Sequence, residues 1–395
     1  MISFDEAIAL LRDVAKPLGS ERVPLEQAHR RILAAPVVAG VDSPPSDCSA
    51  MDGYAVRDAD LRGFPVRLPL AGESFPGNEV TKELAPGHCV RIFTGAPVPG
   101  GADRVVIQEN VVREGEVAVI AAPPGAPRHI RPRGSDFLAG DLLLEAGRRL
   151  DPRALVAAAA ADRPEVEVWC RPRLVILGSG DELVEPGAAA TTPGAIPESL
   201  SIGIAALAVE WGAEFSGRSR LRDELISMRR AAADALDIAD LVVVTGGASV
   251  GDRDFAKAMF DDAGLELIFS KVAIKPGKPV WLGRARDRLV LGLPGNPTSA
   301  LVTGRLFLAP LLAGLTGRDP GEALCWRRVP LANAAPAVAE RETFVRARRN
   351  RDGGELISNQ DSGAQRALAA ADLLVRRPAH APAAGAGELA DMLDF

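Results

Sequence analysis

Three glycine-punctuated turns between Leu241 and Ser299 carry the residue types from which an anion site is built: Thr245-Gly-Gly-Ala-Ser-Val-Gly251, Lys275-Pro-Gly-Lys-Pro279 and Leu293-Pro-Gly-Asn-Pro-Thr-Ser299. The first follows the apolar run Leu241-Val-Val-Val244, so Gly246, Gly247 and Ser249 fall where a buried strand gives way to a helix and unpaired amides converge on phosphate. The same glycines would also serve a plain tight connection. In the second turn, ammonium groups at Lys275 and Lys278, held across a Pro-Gly bend, repel one another unless solvent or an anion lies between them, and Lys271 adds a third. The third turn reads as a helix start, with Asn296 at the N-cap and Pro297 at the first helical position. Pro294, Gly295 and Ser299 are then left to shape a pocket at a positively polarised helix end.

Carboxylates stand beside these turns. Asp181 and Glu182 follow Gly178-Ser-Gly180, Asp252 and Asp254 follow Gly251, and Asp223 precedes a helical segment. Mg²⁺ takes a few carboxylates together with substrate phosphate oxygens, so the cluster suits a metal-assisted reaction on a phosphate, although Asp223 and Asp254 taken singly also read as helix caps. Other chemistries are poorly supplied. His29, His88, His129 and His380 are scattered without ligand spacing, and Cys48, Cys89, Cys170 and Cys325 form no C-x-x-C pair, which argues against zinc or a disulfide framework and fits a reducing compartment.

The elements that must position these groups are legible in outline. A chain of 395 residues, 47% hydrophobic, holds several domains. Lys plus Arg number 46 against 52 Asp plus Glu, so a broad attraction to nucleic acid or an anionic membrane is not expected. The start, Met1-Ile-Ser-Phe-Asp-Glu6, lacks a signal core, and the apolar stretch Leu155 to Ala161 falls short of the roughly 20 residues of a membrane span, which predicts a cytoplasmic protein. Ser3 and Glu6 form a capping-box pattern ahead of a helix running to near Gly19, and a second helix is expected from Pro24 to about Leu33. From Ser43 to Arg133 short apolar runs broken by Pro and Gly predict a small β-rich domain. From Arg171 to about Gly317, strands near Leu174–Leu177, Leu241–Val244 and Leu289–Leu293 alternate with helices, predicting a mainly parallel, helix-covered sheet with ligands at its carboxyl ends. After Asp319 the alternation suits a last small sheet, and Pro378 to Gly387 a loop before a short apolar end.

Ser49-Ala-Met-Asp-Gly-Tyr-Ala-Val56, Thr94-Gly-Ala-Pro-Val-Pro99, Gly178-Ser-Gly-Asp-Glu-Leu183 and the three turns occur in the order found in the molybdopterin molybdenumtransferases, the molybdenum-insertase family that includes the C-terminal domain of gephyrin. The resemblance covers nearly the whole chain. It implies a multidomain α/β plus β fold: an elongated N-terminal domain (1–44 and 136–168), an inserted small β domain (45–135), a central three-layer α/β molybdopterin-binding domain (169–317) and a C-terminal β domain (318–395). It further implies a homodimer, transient contact with a molybdopterin adenylyltransferase and apo-molybdoenzymes, and a reaction in which adenylylated molybdopterin and molybdate yield molybdenum cofactor and AMP with Mg²⁺. Carried over by motif, functional positions fall on Asp52, Thr94, Asp136, Glu182, Asp223, Ser249, Asp254, Lys271, Lys275, Lys278, Pro294 and Pro297, with Ser362 a retained hydroxyl. Glu182, Asp223 and Asp254 are the expected metal or water positioners. The chain departs from the family pattern at Pro197-Glu-Ser-Leu200, which loses an Asn amide, at Asp361 within Gln360-Asp-Ser-Gly363, and at Arg366 to Leu373. Such changes keep alive a carrier or scaffold that binds molybdopterin without turnover. An adenylyltransferase acting one step earlier would not need the flanking domains.

Overall fold

The computed structural model describes residues 1–77, 83–246 and 255–395. They form two bodies, one of Met1–Glu21, Arg30–Ala34 and Val168–Phe395, the other of Arg22–His29 and Ala35–Glu167.

In the first body the β-branched and leucine runs build a six-stranded sheet: β1 (Arg173–Ser179), β2 (Glu214–Leu221), β3 (Leu241–Thr245), β4 (Glu266–Ser270), β5 (Trp281–Ala285) and β6 (Arg288–Leu293), in the order β2-β1-β3-β6-β5-β4. The first four in that order run parallel, and β5 and β4 close the sheet antiparallel. Alternate side chains leave opposite faces. Leu174, Ile176, Leu241 and Val243 join one hydrophobic cluster, while Val175, Leu177, Val242 and Val244 join another. Covering both faces are Leu200–Glu210 and Pro297–Leu315 on one side and Leu225–Ile238 and Phe255–Ala258 on the other, a three-layer arrangement. The helical run Pro297–Leu315 is long and apolar enough to span a membrane, but 94% of it is buried, so it serves as a core helix.

The start of the chain belongs to this core. Helix Phe4–Val14 begins with a complete capping box between Ser3 and Glu6 and buries Phe4, Ala7, Ile8 and Leu11. Its Phe4 ring meets Phe307 at 5.6 Å and Phe344 at 4.9 Å, edge to face. Residues 1–44 were expected in the N-terminal domain, yet this helix packs within the α/β body. It also stops at Val14 rather than near Gly19, because Pro17 disfavours helical backbone at Lys16. Ser3→Ala should cost about 1 kcal/mol of unfolding free energy, read by urea titration, since only the cap is lost. The helix expected from Pro24 to Leu33 does not form. Strand Ser20–Pro24 and a single turn at Leu25–Gln27 stand there, and Arg30 lies at φ 65, a left-handed backbone that no helix continues through.

The C-terminal segment adds a second sheet, ordered Ile274–Lys275, Glu342–Asn350, Leu373–Arg377, Leu389–Asp394 and Arg327–Pro330, with Gly353–Leu356 on Glu342–Asn350. Its first strand is therefore the lysine bend itself, with Ile274 opposite Glu342 and Lys275 opposite Thr343 in parallel register. Phe344, Leu374 and Leu393 reach into the α/β core.

The second body is β-rich, as its broken apolar runs predict. Six strands order as Arg104–Ile107, Gly53–Val56, Cys89–Ile92, Val66–Ser74, Val117–Ile120 and Val111–Glu114. Tyr54, Val56, Leu68, Cys89, Val106 and Ile120 fill one side. Helix Pro152–Ala160 is capped by Asp151, whose carboxyl is drawn down to about 2 by the Ala154 amide and by Arg153.

Candidate functional site

The carboxyl ends of β1, β3 and β6 meet backbone to backbone. Gly246 ends β3 at φ +85, and a methyl group there would sit 2.5 Å from the Ser179 carbonyl oxygen, so only glycine fits both the space and the backbone. A methyl on Gly295 would lie 2.9 Å from the Gly246 Cα. Beside them the Ser179 hydroxyl is buried and, among the described residues, has no hydrogen-bond partner. Gly247, Ser249, Asp252 and Asp254 lie outside the described residues.

The lysine bend is fixed from three directions. Val272 donates its N–H to the Lys278 carbonyl and Val280 to the Gly277 carbonyl, closing the turn. Strand pairing to Glu342 and Thr343 holds one arm. Gly277, at φ +99, lies so close to the core helix that a methyl on it would be 2.0 Å from Thr303 Cγ2. Lys275 and Lys278 stay exposed on this rigid support. They line a cavity of about 1270 Å³ together with Ser299, Ser362, Arg341 and Arg377. Four cationic side chains, Lys275, Lys278, Arg341 and Arg377, face two carboxylates there, Glu340 and Asp361, so the cavity favours an anion. Arg377 is 7% exposed; its Nη2 donates to the Pro336 and Pro382 carbonyls, and its Nε has no hydrogen-bond partner among the described residues. Lys271 has the left-handed φ of 65 and an exposed side chain, and it is not part of the cavity wall.

Pro294 and Ser299 are buried and Pro297 half-buried at the start of the core helix. Asn296 occupies the N-cap position, but its side chain does not cap. Its Nδ2 donates instead to Ser362 Oγ at 3.1 Å, tying the helix start to the C-terminal segment. Arg341 and Arg377 carried no local signal in the sequence, because only the pairing of the C-terminal strands brings them to the lysine bend.

Glu182 and Asp223 leave neighbouring parallel strands, since Ser179 pairs with Leu221. Both are exposed, and the Asp223 N–H donates to Asp181 Oδ1 at 3.3 Å. Neither lines the 1270 Å³ cavity. Among the described residues no three His, Cys, Asp or Glu side chains come together as a metal group. Hard carboxylate oxygens at adjacent strand ends are nevertheless the donor type that Mg²⁺ takes alongside phosphate and water.

In the second body Asp52 precedes strand Gly53–Val56, and its Oδ1 accepts both the N–H and the hydroxyl of Thr94, each at 2.7 Å. These bonds, the amide first, hold its carboxyl below the ordinary range. Asp136 is exposed, with its N–H bonded to the Ser43 carbonyl. In Thr94→Ala one bond is lost and the Asp52 carboxyl should titrate nearer its ordinary value. A depressed carboxylate lends stability above its unfolded pKa and loses it as pH falls through the folded one. In the variant less of that stability is present and its loss should be complete at a higher pH, as read by NMR titration of Asp52 and by acid unfolding.

The departures at Pro197 to Leu200 have structural roles. Leu200 is 7% exposed in the core. Glu198 accepts from the Ser201 N–H at 2.8 Å and from Arg218 at 2.8 Å, so it caps the helix that Leu200 opens. Asp361 Oδ1 accepts the Gly363 N–H at 2.7 Å, which engages part of its charge in its own turn.

Family descriptions match in chain order: the MoeA N-terminal region (domains I and II) over residues 2–161, a probable molybdopterin-binding domain over 175–314 and the MoeA C-terminal region (domain IV) over 328–395. A molybdopterin molybdenumtransferase of Haemophilus influenzae is 36% identical, covering 84% of this chain and 80% of that protein. One from Synechococcus elongatus is 34% identical over 92% of each. Among solved structures, two molybdopterin biosynthesis moeA proteins of Pyrococcus horikoshii superpose with TM-scores of 0.85 and 0.83. Those are 30% and 27% identical and cover 100% of this chain and 99% and 100% of theirs.

Proposed function

The chain belongs to the molybdopterin molybdenumtransferases, enzymes of molybdenum cofactor biosynthesis, and from that premise we propose that the Lys275–Pro279 bend receives the oxyanions of its reaction. Adenylylated molybdopterin and molybdate are the substrates, and the products are molybdenum held by the dithiolene sulfurs and free AMP. The observation that carries this reading is the cationic cavity in which Lys275, Lys278, Ser299 and Ser362 converge.

Lys275 and Lys278 hold molybdate and the pterin phosphate, because both are oxyanions and two ammonium groups carried on one held bend bring charge to them. The close-packed glycines Gly246 and Gly295 let backbone approach the pterin, and Gly247 and Ser249, which follow Gly246 in the sequence, are assigned to the same contact. Lys271, Pro294 and Pro297 shape the surroundings. Glu182, Asp223 and Asp254 are the residues that would hold Mg²⁺, which supplies charge neutralisation at the adenylate phosphoanhydride. Asp52, Thr94 and Asp136 belong to the same reaction through the second subunit of a homodimer. Helix Leu200–Glu210 supports such a dimer, since it is apolar yet leaves Ile202 51% and Val209 54% exposed. We place the reaction in the cytoplasm, where the adenylyltransferase that makes the substrate and the apoenzymes that take the product would meet this protein transiently.

Purified protein given adenylylated molybdopterin, Mg²⁺ and molybdate tests the reading. AMP release that needs all three supports it. Tight binding without AMP release would instead establish a carrier.

A further inference from the structure

The second body carries a feature that the lysine site does not explain. Strand Gly53–Val56 lies beside Cys89–Ile92, which lies beside Val66–Ser74, and the register sets Gly53 and Ser74 both opposite Ile92. Residues at one end of these three strands therefore emerge together: Asp52, then Phe93 with Thr94, then Phe75. Phe93 donates its N–H to the Ser74 carbonyl at 3.2 Å, which aligns the two phenylalanines. Their rings stack at 4.6 Å and 14°. Behind Phe93, the Arg91 guanidinium lies 4.9 Å from that ring and 5.0 Å from the ring of Tyr54. Arg91 is itself held by the Gly53 carbonyl at 3.0 Å and by Gln108 at 2.6 Å.

The result is an ordered column, Tyr54, Arg91, Phe93, Phe75, with its inner end in the core and its outer end at the surface. Tyr54 is 4% exposed and Phe75 is 42% exposed, although Phe93 covers one of the Phe75 faces. Single apolar side chains on a surface are ordinary. A phenyl face held rigid by three layers beneath it is a stacking platform, of the kind on which planar heterocycles bind without regard to sequence. On the same strand end sits an ionised acceptor. Asp52 uses Oδ1 for both bonds from Thr94, and no hydrogen bond to its Oδ2 occurs among the described residues.

We propose that Phe75 stacks a planar, amine-bearing heterocycle of the substrate, with Asp52 Oδ2 as the acceptor for its exocyclic amine. Adenine and pterin share that chemistry, and adenylylated molybdopterin contains both. The assignment rests on the insertase reading, although Asp52, Phe75 and Phe93 do not line the lysine cavity.

Isothermal titration of the full chain with AMP and, separately, with 6-hydroxymethylpterin distinguishes the two heterocycles. Phe75→Ala should weaken one of them by about tenfold, in keeping with the loss of one base–aromatic stack. Phe75→Trp, which keeps a flat face, should restore that affinity. A loss confined to AMP assigns the adenine, and a loss confined to the pterin assigns the pterin. Wild-type affinity for both in Phe75→Ala, with an unchanged melting temperature, would overturn the proposal. If turnover in that variant still depended on Lys275, the insertase reading would stand without it.

Discussion

Lys275→Ala is expected to lower molybdate-dependent AMP release by about 10²–10³-fold while leaving the melting temperature within a few degrees of the parent. The two halves of that expectation have separate causes. The ammonium is exposed and contributes to no core, so its removal does not disturb packing. The backbone of Lys275 keeps its place, because its pairing with Thr343 uses main-chain groups that alanine retains. What disappears is one of four positive charges, Lys275, Lys278, Arg341 and Arg377, around a cavity that holds two acids, Glu340 and Asp361. An oxyanion bound there would lose one positive charge carried on a backbone that is already held in place. Near-normal AMP release in a well-folded Lys275→Ala protein would remove this bend from the mechanism. Lys275→Arg is the informative companion, since it restores charge but spreads it over a planar fork; recovery of less than a tenth of activity would show that a compact ammonium is needed.

Gly277→Ala should be nearly as severe by another route. The added methyl would stand 2.0 Å from Thr303 Cγ2, and the backbone there is at φ +99, which non-glycine residues rarely adopt. Overpacking and backbone strain together should cost about 3 kcal/mol, and the bend is the part most able to move in response. The expected outcome is a lowered melting temperature together with at least a tenfold loss of activity. Thr303→Ser removes the clashing methyl yet keeps the hydroxyl that donates to the Ser299 carbonyl at 2.8 Å. The double variant should recover part of the stability. No recovery would assign the whole cost to backbone strain.

The parallel core was legible because its strands are apolar runs buried on both faces, as at Leu174–Leu177 and Leu241–Val244. The edge strand β2 was not, because Glu214 to Leu221 is mostly exposed, polar and interrupted by Gly217, so nothing in its composition distinguishes it from a loop. Strands β4 and β5 were hidden for a different reason. They form an antiparallel addition to a parallel sheet, and alternation of strand with helix gives no warning of it. At the site, the lysines and glycines announced themselves through turn chemistry. Arg341, Arg377 and the Asn296–Ser362 bond arise from pairings between distant segments, which no local pattern encodes. The first helix shows the same limit: its capping box fixed its existence, but only tertiary packing decided which core took it.

The pairing of Ile274–Lys275 with Glu342–Thr343 also bears on how such chains can be recombined. A fragment ending near Gly317 would forfeit a flanking strand for its lysine bend and leave the space of Phe344, Leu374 and Leu393 unfilled. The pterin-handling module is consequently not a transplantable cassette. A chimera that grafts it onto another scaffold must bring along the last eighty or so residues, and swapping that tail between relatives will alter the support of the lysines together with the cavity wall that Arg341, Ser362 and Arg377 supply.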